Sequence, residues 1–465
     1  MSPSLDHGTE SPEEPPARST STAVDERDGL PGAVLHSEAL HSGPLHSGPL
    51  HSGPWLAALS AGPSWNDWRW QLRNRIRSVE ALGQAFGGAR LPLGTAHAAT
   101  RFPLAITPYY ASLIQELEPS DPIFAQAVPQ PVELFDPPFL HDDPLEEDED
   151  MPVPGLVHRY PDRALLLATT TCAMYCRHCT RKRVAGSREG CVAPRSLAKQ
   201  VEYLRAHPEI HDVIISGGDP FTMTTPALER IVAAVRSVPS IDIIRIGSRT
   251  PVTMPMRVDD ELVGMLRRYA PVWVNTHFNH PRELTPTAIA ACGKLVDAGI
   301  PLGNQSVLLR GVNDDPAVME ALLRGLVRAR VRPYYLYQCD LVRGVEHFRT
   351  PLGRGLQLME YLRGRLSGLA IPSFVVDLPG GGGKIPLLPN YIVSLGAEHT
   401  VLRNGEGLLV AYPDPGAPAP TTRPPENPTV YDLVSGGAPA ILPCRTARLG
   451  RRAKRRMARS AANLH

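Results

Sequence analysis

From Ala164 onward, short apolar runs punctuate the chain at Ala164–Thr169, Val213–Ser216, Ile243–Gly247, Val272–Thr276, Pro301–Val307 and Pro333–Tyr337. After the first, their starts fall about thirty residues apart, the length of one strand–helix unit. Amphipathic stretches lie between them. Ala317–Arg330, for instance, carries Val318, Leu322, Leu323 and Leu326 at the spacing of one helix face. Repeated strand–helix units with buried apolar strands predict a parallel sheet covered by helices. Six such units are too few to close an eight-stranded barrel. The pattern therefore predicts an α/β fold, an open, partial (β/α)6 barrel with its functional loops at the strand C-termini.

The flanks read differently. Residues 1–62 are rich in Ser, Pro, Glu and Gly and repeat Leu-His-Ser-Gly-Pro up to Pro54, which predicts a disordered low-complexity extension. Its spaced histidines could bind a transition metal, but the composition favours a spacer. A helical N-terminal region is expected over 63–157, opening with an aromatic helix, Trp65–Arg75, capped by Ser64. Within it, Asp142–Asp150 is an acidic run, broken only by Pro144 and Leu145, and reads as a solvated loop. The barrel should occupy 158–412, followed over 413–465 by a Pro-rich and basic C-terminal extension. The arginines of Arg445–Arg459 have no interleaved aromatics for base stacking, so the tail reads as solubilising.

Charge and cysteine usage narrow the function classes. Lys+Arg at 48 against Asp+Glu at 47 gives a net charge of +1, which excludes whole-protein attraction to nucleic acid or membrane. The seven cysteines are sparse and odd in number, with three clustered, so they do not form a disulfide framework and a reducing compartment is expected. The N-terminus lacks the apolar segment of a signal peptide. No stretch approaches the ~20 apolar residues of a membrane span. A cytoplasmic protein is expected.

The clustered cysteines are Cys172, Cys176 and Cys179, spaced C-x3-C-x2-C directly after the first strand. Three thiolates on one tight turn can hold three corners of a cubane iron–sulfur cluster and leave the fourth iron open to a small molecule. A zinc with Cys191 or His178 as fourth ligand is the alternative. Zinc knots usually come as two separated pairs, so the spacing favours the cluster. Ser216-Gly217-Gly218-Asp219 follows the second strand, where paired glycines permit close backbone approach and a carboxylate could accept from an ammonium. Pro379-Gly380-Gly381-Gly382-Gly383-Lys384 fails as a nucleotide phosphate loop, because Ile385 stands where Ser or Thr should hold the metal. A lysine poised for imine chemistry is the better reading, against a mobile loop with a surface lysine. Asp340 and Asp377 each end an apolar segment and could pair with a cation, or simply form a turn.

Taken in order, C-A-M-Y-C-R-H-C-T-R, S-G-G-D, Y-Q-C-D-L and D-L-P-G-G-G-G-K resemble the lysine 2,3-aminomutase family. Those enzymes use S-adenosylmethionine in radical chemistry together with pyridoxal phosphate. Longer passages agree as well, among them W-N-D-W-R-W-Q, H-R-Y-P-D-R, N-T-H-F-N-H-P and G-N-Q-S-V-L-L-R-G-V-N-D, so the likeness runs from about Trp65 to about Tyr412. The resemblance implies a radical-SAM partial barrel. Cys172, Cys176 and Cys179 would bind a [4Fe-4S] cluster whose open iron takes S-adenosylmethionine. Gly217, Gly218, Asp219, His277 and Gln305 would contact that cofactor. Lys384 would carry pyridoxal 5'-phosphate, with Arg159, Tyr160 and Arg163 beside it. Arg181 would clamp the substrate carboxylate, and Asp340 and Asp377 would hold the distant cationic end. An external one-electron reductant of flavodoxin or ferredoxin type is implied, and the reaction is an isomerisation that moves an amino group from the α- to the β-carbon.

The likeness has limits. Relatives carry a cysteine where Asp315 stands, and with a C-terminal cysteine cluster it binds a zinc between subunits. This C-terminal region offers only Cys444, so the resemblance does not extend to that zinc, and a homo-oligomer is left open. Thr170 replaces a frequent Asp, and the N-terminal extension has no counterpart. For substrate, two buried carboxylates require a cationic side chain. The expectation is L-lysine converted to L-β-lysine, with β-arginine formation for antibiotic biosynthesis as the alternative.

Overall fold

A computed structural model describes residues 58–184, 190–191, 193–379, 381–404, 407–415, 417, 425–438 and 440–441. Most of the expected N-terminal extension, Cys444 and the basic tail lie outside the described residues.

Nine strands form one sheet in which spatial order follows chain order. They are β1 (Leu156–Tyr160), β2 (Arg163–Thr169), β3 (Asp212–Gly217), β4 (Ile243–Gly247), β5 (Val272–Thr276), β6 (Leu302–Leu308), β7 (Arg332–Gln338), β8 (Ser373–Leu378) and β9 (Gly383–Pro386). Strands β2 through β8 run parallel, while β1 and β9 are antiparallel to their neighbours. The six apolar runs correspond to β2–β7, and β8, a seventh parallel strand, lies outside them. Edge strands β1 and β9 were not expected, because each is short and mixes polar residues such as His158, Arg159 and Lys384 into its run.

The two-residue period of a strand sorts the side chains onto two faces. Leu166, Ile215, Ile246 and Val274 are in register across four strands and buried against the helices. Their neighbours Leu165, Ile214, Arg245, Gly247, Asn275 and Gln305 point inward and line a cavity. Connecting helices cover the outer face, including Thr225–Arg236, Pro286–Asp297 and Pro316–Arg328. Asp315 caps the last of these, its carboxylate accepting from the N–H groups of Ala317 and Val318 at 2.8 and 3.2 Å. A helix N-cap favours that residue type.

Sheet and helices do not close. The edge strands β1 and β9 do not pair, and the Tyr160 hydroxyl accepts from the Lys384 N–H at 2.9 Å across the gap. The barrel is open, as the pattern predicts.

Short helices precede the sheet, and Ile76, Leu82, Tyr110, Ile114 and Phe124 join the same hydrophobic core. The expected aromatic helix is broken in two. Pro63–Asn66 forms a 3-10 turn, and the α-helix starts at Trp68 with Asp67, not Ser64, as its cap. Beyond β9, a four-stranded sheet of Ile392–Ser394, His399–Arg403, Leu409–Pro413 and Ala440–Ile441 packs Val401 and Ala411 against Leu433 and Ala438.

Candidate active site

The segment after β2 is fixed from behind. Arg75 Nη1 donates to the Cys172 carbonyl at 2.5 Å, Tyr175 N–H to Ala105 O at 3.0 Å and Arg177 N–H to Gln126 O at 2.9 Å. The Arg177 guanidinium forks onto Glu133, with its Nη2 2.6 Å from Oε2, and both side chains are almost wholly buried. Removing one partner of such a pair typically costs about 3–5 kcal/mol, so the turn is held firmly. Its other side presents Cys172, Cys176 and Cys179 to a cavity of about 690 Å³. That size suits a small-molecule site. Burial and the neighbouring thiols push the Cys172 and Cys179 thiols up. Three clustered sulfurs are therefore poorly suited to remaining unligated anions and well suited to sharing a cationic iron core.

Gly217 and Gly218 face this turn at close range. Gly217 has φ +113°, and a Cβ on either glycine would collide with the carbonyl oxygen of Thr169 or Thr171. The backbones lock through Gly218 N–H to Thr169 O at 2.5 Å and Asp219 N–H to Thr171 O at 2.8 Å. Asp219 is a buried staple. It accepts from Ser248 Oγ at 2.7 Å, Phe221 N–H at 3.0 Å and Arg249 N–H at 2.8 Å.

Across the cavity, His277 stacks on His178 with ring centroids 5.2 Å apart. Burial and the nearby Arg249 push His277 down to about 3, so both nitrogens serve as neutral hydrogen-bonding groups. Asn279 Nδ2 lies 3.1 Å from its Nε2. Gln305 donates to the Tyr337 hydroxyl at 3.1 Å, and the Lys384 amine lies 4.5 Å over the Tyr337 ring.

Lys384 owes its place to register. Antiparallel pairing sets it opposite Asp377, and its amine reaches both carboxylate oxygens at 2.7 Å. Asp340 accepts from Thr180 Oγ1 at 2.9 Å. Burial, and then the negative charge of Asp377, raise it to about 6. Arg159, Tyr160, Arg163 and Arg181 line the same cavity, so every residue expected for the site opens onto one space.

The acidic run departs from expectation in part. Asp142, Glu146, Asp148 and Glu149 are exposed, as a solvated loop requires, but Leu145 and Glu147 turn onto the cavity wall, with Glu147 only 5% exposed. Glu147 takes Arg181 Nε at 2.9 Å and Nη2 at 2.5 Å, while Asp150 takes Arg159 Nε at 2.5 Å. Leu145 O accepts from Arg159 as well. The reason is charge: the run supplies counter-ions to four arginines, Arg159, Arg181, Arg183 and Arg343. Arg249, at the C-terminal end of β4, was also not singled out from sequence. Its position in Gly247-Ser248-Arg249, just past a strand end, was the available signal.

Comparison with known proteins then bears on this geometry. The family model described as lysine-2,3-aminomutase matches residues 359–457, and that of the radical SAM superfamily matches 166–322. An L-lysine 2,3-aminomutase of Clostridium subterminale is 52% identical over 357 residues, covering 76% of this chain and 85% of that protein. The chain belongs to the lysine 2,3-aminomutase family. An L-lysine 2,3-aminomutase of Bacillus subtilis (strain 168) is 48% identical, covering 76% of this chain and 75% of its own. A glutamate 2,3-aminomutase of Clostridioides difficile is 44% identical, covering 75% and 83%. Like other members of this family, the protein is an aminomutase, an isomerase of the radical SAM superfamily. Membership brings a [4Fe-4S] cluster, S-adenosylmethionine, an amino-acid substrate and a reductant. No described helix is long and apolar enough to cross a membrane.

Proposed function

We propose that this aminomutase converts L-lysine to L-β-lysine, with pyridoxal phosphate carried by Lys384 and the cluster held by Cys172, Cys176 and Cys179. One observation carries the substrate. Asp340 and Asp377 stand close enough that the second carboxylate's charge helps raise the first to about 6, and a cationic side-chain end would relieve that repulsion. Glutamate would add a third negative charge. Relatives named for lysine match at 52% and 48%, one named for glutamate at 44%, and the arginine alternative is not favoured.

The donor set suits the cofactors. Lys384 sits between the Tyr337 ring and a carboxylate, and Arg159, Tyr160 and Arg163 offer cations and a hydroxyl on the same wall for an anionic phosphate. The bound cofactors supply the hydrogen abstraction and hold the migrating nitrogen. This chain's residues position the substrate. With its Nε and Nη2 edge held by Glu147, Arg181 offers Nη1 to the α-carboxylate while Asp340 and Asp377 take the ε-ammonium, which fixes both ends of an extended lysine. When Asp377 is so engaged it must share with, or release, the Lys384 amine it now holds at 2.7 Å.

The test is anaerobic reconstitution with iron, sulfide, pyridoxal phosphate, S-adenosylmethionine and reductant, offering lysine, arginine and glutamate separately. L-β-lysine is the expected product. Absence of any β-isomer, or β-arginine as the faster product, would overturn the reading. Borohydride trapping should label Lys384, and a label elsewhere would refute its role.

A further inference from the structure

Arg249 follows the last residues of β4 and has a side chain only 9% exposed. Its Nη1 lies 2.9 Å from Cys176 Sγ. Its Nη2 donates to Glu283 Oε1 and Gln126 Oε1, both at 2.7 Å. Glu283 is fully buried and cannot follow the arginine elsewhere. The N–H groups of Asn279 and His280 hold its Oε2 at 2.6 and 2.9 Å, and the Tyr110 hydroxyl donates to its Oε1 at 2.7 Å. The pair is thus a fixed dipole. Its anionic end is anchored in backbone, and its cationic end touches a cysteine sulfur at the cavity.

We propose that Arg249 sets the reduction potential of the cluster, raising it through its charge and its N–H···S bond to Cys176. The inference rests on reading the three cysteines as cluster ligands. One electron enters from the external reductant. No proton moves and no bond forms at Arg249, so the whole effect is electrostatic. The reduced cluster carries one more negative charge than the oxidised one. A cation fixed beside a ligand sulfur in a water-poor site stabilises that form more, and hydrogen bonds to cluster sulfurs are a recognised lever on potential. Glu283 keeps the guanidinium pointed at the sulfur and prevents it from leaving for solvent or for an incoming carboxylate.

The experiment uses the full chain, reconstituted with iron and sulfide in the absence of substrate and S-adenosylmethionine. Arg249→Met combined with Glu283→Gln removes both charges together, so no buried ion is left alone. Arg249→Lys keeps the charge and loses the fork. Circular dichroism and iron content are followed by a redox titration read by electron paramagnetic resonance. The double variant should lower the equilibrium constant for cluster reduction at least tenfold, a shift of 59 mV to more negative potential for a one-electron couple. The lysine variant should shift in the same direction by less. A smaller or opposite shift in the double variant overturns the proposal. So does a natively folded variant that binds no iron, since Arg249 would then be a post for the turn and not a tuner. A wild-type chain that takes up no cluster would instead remove the reading of the cysteines themselves.

Discussion

Replacing Asp340 with Asn should make the protein more stable and a far poorer catalyst. Asp340 faces the cavity from within protein walls, and its carboxyl is held at about 6 against an ordinary 3.8. That difference of about 2 corresponds to about 3 kcal/mol spent in keeping the group ionised, at 1.36 kcal/mol per pKa unit. The sign follows from proton counting. Between pH 3.8 and 6 the folded chain holds a proton that the unfolded chain has released, so stability falls as pH rises through that window, and the loss is complete above it. Asn carries no such charge, and its side-chain oxygen can still accept from Thr180. Urea unfolding at pH 8 should therefore show a gain of about 1–3 kcal/mol for Asp340→Asn, roughly halved at pH 5. Turnover should move the other way. Loss of one charge-assisted hydrogen bond to the substrate ammonium, about 1.5–3 kcal/mol, lowers kcat/KM roughly 10- to 150-fold in β-lysine formation. Cluster absorbance should not change, because the carboxylate's partner is Thr180 and not a cysteine. The reasoning is refuted by a variant less stable than wild type at pH 8, by a gain independent of pH, or by kcat/KM above a tenth of wild type.

Glu147→Gln keeps the shape of the Arg181 brace but drops its charge, and should raise KM for lysine about tenfold, or ~1.4 kcal/mol. Steady-state kinetics decide it, since an unchanged KM means that Arg181 needs no brace. Lysine affinity should weaken about tenfold per pH unit as pH falls below about 6, because Asp340 then takes up a proton that the ammonium must displace. Titration calorimetry in buffers of different ionisation heat should show proton release on binding near that pH, and a flat profile would contradict it. Gly218→Ala forces a Cβ against the Thr171 carbonyl and should cost at least the ~1–3 kcal/mol of overpacking. The ratio of bound iron to protein should drop with it. Full iron loading in that variant would show that the cysteine turn tolerates displacement.

What could be read from the chain divides along physical lines. Apolar periodicity revealed β2 to β7, because the face that each strand turns to the covering helices must be apolar. It missed β8, whose apolar centre is only Phe374, Val375 and Val376, and β1 and β9, whose residues serve an edge and a cavity and therefore include His158, Arg159 and Lys384. The cysteine turn and Gly217-Gly218-Asp219 stood out because rare residues at fixed spacing carry information locally. What was not visible was who pairs with whom across the fold. Glu147 looked like one carboxylate among several in a polar run, and only its distance to Arg181 gives it a task. Arg249 is equally silent, since its partners Gln126, Cys176 and Glu283 lie far from it in the chain. Ser64 was mistaken for a cap because Pro63 next to it starts a 3-10 turn, which delays the α-helix to Trp68.

The hydrogen bond from Lys384 to Tyr160 across the open seam spans 224 residues of sequence. The cysteine turn, by contrast, is completed by Gly217 and Gly218, within 50 residues of Cys172 in numbering. In a sheet that adds strands in chain order, the two halves of the cavity therefore mature at different times. A nascent chain that has released β3 carries every residue of the turn and its glycine backing, while the lysine station needs β9 to be made and paired with β8. Closing the longer loop costs little in free energy, roughly 0.6 kcal/mol per doubling of length. Its cost is in time, because contacts distant in sequence form last. Assembly of the cavity is thus expected to have a direction: the cysteine turn meets its glycine backing first, and Lys384 reaches Tyr160 across the open seam last.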